Sequence, residues 1–182
     1  MKRVFLGIKL NTELESKIET FKKKAGLKQL PIKLVEPENN HIAIKFLDEL
    51  NNEQIVVLSE LITNTLIGFK SFEVTIDDLL IFPNLTNPRV LALKLISSNL
   101  EGLAKKIFKE FESLKFITPD DRKYTPHITL GRFKSQLTQE DQTKIASLEF
   151  KDSFMVDDIH LFESQLTTTG PIYSLLKTFE LR

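Results

Sequence analysis

The chain has 182 residues, of which 41% are hydrophobic and 27% are charged, a balance typical of one globular domain. Its 25 Lys and Arg residues equal its 25 Asp and Glu residues, so there is no net positive charge of the kind that a general nucleic-acid coat protein carries. The absence of Cys excludes disulfides, thiolate metal sites and cysteine nucleophiles. Residues 1–10 make a poor signal peptide and no segment is long enough to span a membrane, so we expect a cytoplasmic protein.

The first half of the chain predicts strands that alternate with helices. The pattern rests on short β-rich apolar runs and on apolar residues at helical spacing. In chain order the predicted elements are a strand over Val4–Leu10, a helix capped by Asn11 or Thr12, a strand that starts at His41, a helix over about Glu53–Phe69 and a strand over Phe72–Phe82.

The second half repeats this order of elements. Polar residues again precede each predicted helix, as caps do. The predicted elements are a strand over Val90–Ile96, a helix capped by Ser97 or Ser98, a strand that starts at His127, a helix over about Thr138–Leu148, a strand over Phe150–Phe162 and a last strand over about Tyr173–Leu181.

Two pairs of short segments repeat at one spacing. Arg3-Val4-Phe5-Leu6 resembles Arg89-Val90-Leu91-Ala92, and His41-Ile42-Ala43-Ile44 resembles His127-Ile128-Thr129-Leu130. Both offsets are 86 residues, since 89 − 3 and 127 − 41 give the same value. We therefore predict a single domain over 1–182 with an internal repeat, about 1–83 and 88–182. The fold class is α+β, with two pseudo-symmetric β-α-β-α-β lobes, antiparallel sheets that face each other across a cleft, and helices outside.

Two of the three histidines occupy matching positions in this repeat. Alternate residues of a strand share a face, so His41 lies with Ala43, and His127 lies with Thr129. The residues between them are apolar and suit the core, so both imidazoles should face the cleft. A neutral imidazole can take a proton from water, and a protonated one can give a proton to a departing oxygen. We therefore predict that this pair catalyses a reaction of a phosphodiester.

Three further residues are candidates for phosphate binding. The Thr129 hydroxyl shares the face of its histidine, although threonine is also simply a good strand former. Lys45 is four residues beyond the first histidine and shares its face by strand alternation, although a solvated strand lysine is the alternative. Arg132 would point to the opposite face unless Gly131 marks a bulge.

Other chemically active side chains carry weaker signals. His160 has no histidine partner in the repeat, and we expect it to be structural. The pairs Asp77-Asp78 and Asp157-Asp158 could ligate a metal, but turn or strand-end positions explain them better, because no further ligands lie at a recognisable spacing. Most of the 14 Phe residues fall on apolar stripes and should be core. The aromatic candidates for stacking on a nucleobase are Phe46, Phe82, Phe133 and Tyr173.

These features resemble the two-histidine phosphoesterases, and among them the LigT-like RNA 2′,3′-cyclic phosphodiesterases, also called 2′-5′ RNA ligases. The resemblance covers nearly the whole chain, and the stretch Pro-His-Ile-Thr-Leu-Gly-Arg that ends at Arg132 is its most specific part. The segments that carry it are Val4–Leu10, Pro37–Leu47, Phe82-Pro83, Pro88–Leu91, Tyr124–Phe133 and Gly170–Tyr173.

The resemblance implies that a terminal 2′,3′-cyclic phosphate is opened to a 2′-phosphate without a metal. One histidine would activate water and the other would protonate the leaving 3′ oxygen. The implied partners are RNA ends, tRNA halves or cyclic nucleotides, and some members also join tRNA halves reversibly through a 2′-5′ linkage. We expect a monomer with no cofactor and no membrane partner.

The first motif departs from the family pattern His-x-Thr/Ser-x, because Ala43 stands at the hydroxyl position. We therefore expect the His41 side of the site to bind phosphate with less help, and activity to be reduced rather than lost. Ala43 also favours an alternative, a module that binds an RNA end or nucleotide without turnover. The retained histidines, Thr129 and Arg132 favour the enzyme. A zinc or calcium protein is a third interpretation, which persistence of function in EDTA would exclude.

Overall fold

The computed structural model describes residues 1–119, 123–168 and 170–182, and within them the strands form a curved, antiparallel sheet. The strands are β1 (Lys2–Lys9), β2 (Ile32–Leu34), β3 (His41–Leu50), β4 (Phe72–Phe82), β5 (Val90–Ile96), β6 (His127–Phe133), β7 (Asp152–Val156), β8 (Asp158–Leu166) and β9 (Pro171–Glu180). The α-helices are α1 (Thr12–Lys24), α2 (Asn52–Thr65), α3 (Ser98–Phe111) and α4 (Gln139–Ala146).

Local sequence signals set the ends of the helices. Asn11 caps α1 by accepting a hydrogen bond from the backbone N–H of Leu14 at 2.8 Å. Ser97 caps α3 in the same way. Helix α2 ends at Thr65 rather than near residue 69, because the chain turns at Gly68, whose φ of 82° is a left-handed conformation that favours glycine.

The predicted α+β class and the antiparallel pairing are confirmed, and one detail of the sheet differs. The strand order is β7-β4-β5-β6-β3-β1-β8-β9, and β2 pairs with β6. The two lobes meet where Ile42 of β3 pairs with Ile128 of β6. The two expected sheets are therefore one continuous curved sheet, because the two histidine strands are direct neighbours.

The strand expected over Phe150–Phe162 is wrong in extent, because two strands replace it. Strand β7 pairs with β4 at one end of the sheet, whereas β8 pairs with β1 in the other lobe. The chain passes from one lobe to the other at Asp157, whose carbonyl accepts a hydrogen bond from Leu181 at 2.8 Å. As a result, the strands do not sort into lobes by sequence half, since β4 pairs with β5 and β8 pairs with β1.

The core lies between one face of this sheet and the helices. Buried aliphatic side chains alternate along the strands and meet the apolar stripes of all four helices that the described residues form. Representative buried residues are Leu6, Ile42, Leu93 and Ile128 from the sheet, and Ile18, Ile62, Leu103 and Ile145 from the helices. The opposite face of the sheet carries the histidines. Within the described ranges, no helix is long and apolar enough to cross a membrane.

Candidate active site

The two histidine strands place their polar residues side by side. Ile42 and Ile128 are paired and point into the core, so the residues on either side of them point to the opposite face. Because antiparallel strands run in opposite directions, this pair places His41 opposite Thr129 and Ala43 opposite His127. All four line a cavity of about 440 Å³, which we call the two-histidine cavity. The two imidazoles are therefore diagonal neighbours on one face, and diagonal neighbours lie about 7–8 Å apart.

This arrangement corrects the expected place of the missing hydroxyl. The Thr129 hydroxyl belongs to the second motif in sequence but lies beside the first histidine, His41. Ala43 lies beside His127. At the opposite position of the neighbouring strand, His41 therefore has a threonine and His127 has an alanine, because antiparallel pairing brings the third residue of each motif next to the histidine of the other.

Both imidazoles are held by the same backbone contact. His41 Nδ1 lies 2.7 Å from the carbonyl oxygen of Asn39, and His127 Nδ1 lies 2.8 Å from that of Thr125. A carbonyl oxygen only accepts hydrogen bonds, so each Nδ1 carries a proton and donates it. Each Nε2 is thereby left for other partners. It accepts a proton when the ring is neutral and donates one when the ring is charged.

Aromatic rings fix the orientation of His41. Its ring centroid lies 4.9 Å from that of Phe5 and 5.0 Å from that of Tyr173, which meets it edge on. Burial lowers the pKa of His41 below its ordinary value, and the charges of His127 and Arg132 act in the same direction, while the hydrogen bond to Asn39 opposes them. The surroundings therefore favour the neutral form of His41.

A polar cluster on helix α1 supports the backbone that leads to His41. Lys22 is only 3% exposed, and its Nζ donates to the carbonyl of Val35 at 2.8 Å and pairs with Glu19 at 2.6 Å. Asn39, whose carbonyl holds the histidine, donates through Nδ2 to the carbonyl of Pro171 at 3.1 Å. The segment before His41 is thus tied to both α1 and β9, which keeps the imidazole in place.

A bulge in β6 turns Arg132 toward the histidines. Leu91 pairs with Gly131 but Ala92 pairs with Thr129, so Leu130 is an extra residue in the ladder. Arg132 consequently shares the face of Thr129 and lines the same cavity. A Cβ atom at Gly131 would lie 2.8 Å from the backbone oxygen of Lys33, so glycine is needed for the close approach of β2.

A matching bulge in β3 changes the expected position of Lys45. Gly7 pairs with Ala43 but Leu6 pairs with Lys45, which leaves Ile44 as the extra residue. Strict alternation therefore fails, and Phe46 takes the position on the histidine face that was expected for Lys45. The structure does not bring Lys45 into the cavity with both imidazoles. Lys45 lines an adjoining cavity instead, with its Nζ 5.2 Å from the ring centroid of Phe108.

The charges of the two-histidine cavity come from both strands and loops. Arg132 and Lys33 supply positive charge, and Lys33 was not identified from the sequence, because a three-residue strand carries no motif. Glu36 and Glu38 also line the cavity. The cations can hold an anion locally, although the whole chain has no net charge.

The four aromatic candidates differ in their positions. Phe46 is 60% exposed and lines both cavities, and Tyr173 lines the two-histidine cavity. Phe82 lines the adjoining cavity, and its ring centroid lies 4.9 Å from that of His127. Phe133 lines neither cavity and packs against the core instead. Three of the four candidates thus line one or both cavities, and Phe133 does not.

His160, Asp77 and Asp78, for which the sequence provides little indication of a functional role, do not line these cavities. His160 packs against Phe162 with ring centroids 5.6 Å apart, and it lines neither cavity. Asp77 pairs with Lys94, and the Asp78 carboxylate accepts from the backbone N–H of Leu79. Within the part of the chain that the structure describes, no three His, Asp or Glu side chains are close enough to hold a metal ion together.

The chain is similar to proteins of one known family. A sequence model of the 2′-5′ RNA ligase superfamily matches residues 13–168. A relative from Methanocaldococcus jannaschii, named RNA 2′,3′-cyclic phosphodiesterase, is 31% identical over 179 residues, which are 96% of this chain and 98% of the relative.

Solved structures share the whole fold. The crystal structure of TT0787 of Thermus thermophilus matches with a TM-score of 0.86 and 25% identity, covering 99% of this chain and 98% of that one. The structure of E. coli LigT complexed with 3′-AMP matches with a TM-score of 0.81 and 23% identity, covering 99% and 98% of the two chains. The family resemblance noted in the histidine motifs is confirmed, and the chain belongs to the 2′-5′ RNA ligase superfamily.

Proposed function

We propose that this protein is an RNA 2′,3′-cyclic phosphodiesterase, which opens a terminal 2′,3′-cyclic phosphate to a 2′-phosphate. The observation that carries the proposal is that His41 and His127 line one cavity. Each ring uses Nδ1 for a backbone carbonyl, which leaves its Nε2 for a substrate. The relative from M. jannaschii bears the name of this activity and covers nearly the whole chain. Other relatives of similar length bear the same name.

His41 is the proposed general base and His127 the proposed general acid. The buried surroundings of His41 favour its neutral form, which can take a proton from water through Nε2. The water oxygen then bonds to phosphorus as the bond between phosphorus and the 3′ oxygen breaks. His127 gives the proton on its Nε2 to that leaving oxygen. Thr129 and Arg132 hold the non-bridging phosphate oxygens, and the reaction needs no metal.

Reversible 2′-5′ ligation is the same chemistry with another nucleophile. The 5′-hydroxyl of a second RNA would take the place of water, lose its proton to one imidazole and bond to phosphorus. Each imidazole can act as the acid or as the base in the forward and the reverse reaction, because it can donate or accept a proton at Nε2. RNA ends and tRNA halves are therefore the proposed partners.

Incubation of the protein with 2′,3′-cyclic AMP in EDTA tests the proposed function. We expect adenosine 2′-phosphate as the product, at a rate that EDTA does not change, because the proposed steps use only side chains and water. Tight binding of the nucleotide without turnover would instead support the binding module that Ala43 favours. Loss of turnover in EDTA, restored by added zinc or calcium, would contradict the metal-independent mechanism.

The pH dependence of kcat/KM should reveal the state of His41. An ordinary histidine has a pKa of about 6.5, and burial lowers the pKa of His41. A general base must be unprotonated, so activity is lost as the pH falls through its pKa. We therefore expect the acidic limb of the pH profile to have its midpoint below 6.5. A midpoint at or above the ordinary value would contradict the assignment of His41 as the base.

A further inference from the structure

A second cavity of about 340 Å³ adjoins the two-histidine cavity. It shares Ala43, Phe46 and His127 with that cavity, so the two spaces meet at the position of the proposed general acid. No step of the proposed reaction uses the other residues that line it. Those residues are Ile44, Lys45, Phe82, Phe108, Lys123, Tyr124 and Thr125.

The walls of this second cavity combine aromatic rings with positive charge. Lys45 Nζ lies 5.2 Å from the centroid of Phe108, and the ring of Tyr124 meets Phe108 edge on at 5.7 Å. The Tyr124 hydroxyl donates to the carbonyl of Ala43 at 3.3 Å, which anchors the ring to the histidine strand. Lys123 also lines this cavity and is exposed. Aromatic faces suit a nucleobase, and a lysine suits a phosphate group.

Ala43 presents only a methyl group where the two cavities meet. It lines both of them and lies next to His127 in the sheet. A threonine or serine there would project a larger side chain into the shared wall. The small residue that removes one phosphate donor from the reaction site therefore also takes up little space where the cavities meet.

We propose that the second cavity binds the nucleotide immediately 5′ to the reacting end, so that the enzyme prefers an oligonucleotide to a mononucleotide. The base of that nucleotide lies among Phe46, Phe82 and Phe108, and its linking phosphate lies near Lys45. This inference rests on the proposed function, because it places the reacting phosphate between the two imidazoles. It assigns to Lys45 a phosphate other than the one that reacts.

The test compares adenosine 2′,3′-cyclic phosphate with the dinucleotide ApA that ends in the same cyclic phosphate. For the unmodified protein, kcat/KM should be about tenfold or more higher with the dinucleotide, the size expected for one stacked base with its phosphate contact. Lys45→Met keeps an unbranched side chain of similar size and removes the charge. It should reduce that preference several-fold, with the loss falling on the dinucleotide.

Lys106→Met is a matched control. Lys106 Nζ also lies over a phenylalanine, at 4.9 Å from the centroid of Phe69, but Lys106 lines neither cavity. We expect this variant to keep the preference of the unmodified protein. Equal kcat/KM for the two substrates in the unmodified protein would overturn the proposal, and so would an equal loss on both substrates in Lys45→Met.

Failure of the proposed function can be recognised separately, because it would appear as no turnover of either substrate. In that case calorimetry can still test the subsite, by measuring the binding constants of the two 2′-phosphate products. These are adenosine 2′-phosphate and the dinucleotide with a terminal 2′-phosphate. Tighter binding of the dinucleotide, reduced in Lys45→Met but not in Lys106→Met, supports the subsite. Equal binding of the two products contradicts it.

Discussion

His41→Ala and His127→Ala should each lower kcat for 2′,3′-cyclic AMP by about 10²–10⁴-fold, because each change removes one proton transfer. The double variant should be little worse than the poorer single variant, since the two groups act on the same reaction and their losses do not add. Initial rates at saturating substrate measure both effects. Thermal unfolding of each variant shows whether the loss reflects chemistry or folding.

His160→Asn is the control for these two variants. His160 lines neither cavity and packs against Phe162 instead, so its replacement should leave kcat close to that of the unmodified protein. An activity within tenfold of the unmodified protein in either His41→Ala or His127→Ala would show that the affected imidazole does not transfer a proton in the limiting step.

Ala43→Thr should raise kcat/KM for 2′,3′-cyclic AMP, by up to about 10²–10³-fold if the new hydroxyl meets the phosphate as the charge develops. Ala43 lies next to His127 as Thr129 lies next to His41, so the change gives each imidazole a neighbouring hydroxyl. The same change narrows the opening to the second cavity. The gain should therefore be greater for the mononucleotide than for the dinucleotide.

Ala43→Val separates the hydroxyl from the added volume. Valine has nearly the shape of threonine and the same β-branch but cannot donate a hydrogen bond. It should narrow the opening without the gain in kcat/KM. If Ala43→Thr and Ala43→Val change the rate equally, or if neither raises it, the missing hydroxyl does not limit the reaction.

Much of the site follows from local patterns in the sequence. The repeat offset relates His41 to His127, and strand alternation places both on the face opposite the core, where the structure has them. Gly131 carries a signal for the bulge that turns Arg132 toward the cavity, since glycine allows β2 to approach closely. Period-two alternation and glycine are local properties, which a single sequence displays.

The remaining features depend on contacts between distant parts of the chain. The bulge at Ile44 exchanges the expected positions of Lys45 and Phe46. Strand β3 has no glycine or proline that would indicate this bulge in the sequence. The place of Thr129 beside His41 follows from the pairing of β3 with β6, which the sequence does not specify. The division of the expected last strand of the repeat at Asp157 arises because the residues before it pair with β4 and those after it pair with β1. Register is a property of two strands together, so one strand's sequence does not determine it.

A crystal structure of the protein with inorganic phosphate or vanadate tests most directly that the two imidazoles act on one phosphorus. The anion should lie between His41 and His127, with an oxygen about 3 Å from each Nε2 atom. The Thr129 hydroxyl and the Arg132 guanidinium should contact its other oxygens. An anion bound by only one imidazole, or bound elsewhere with the space between the histidines empty, would contradict the two-histidine mechanism.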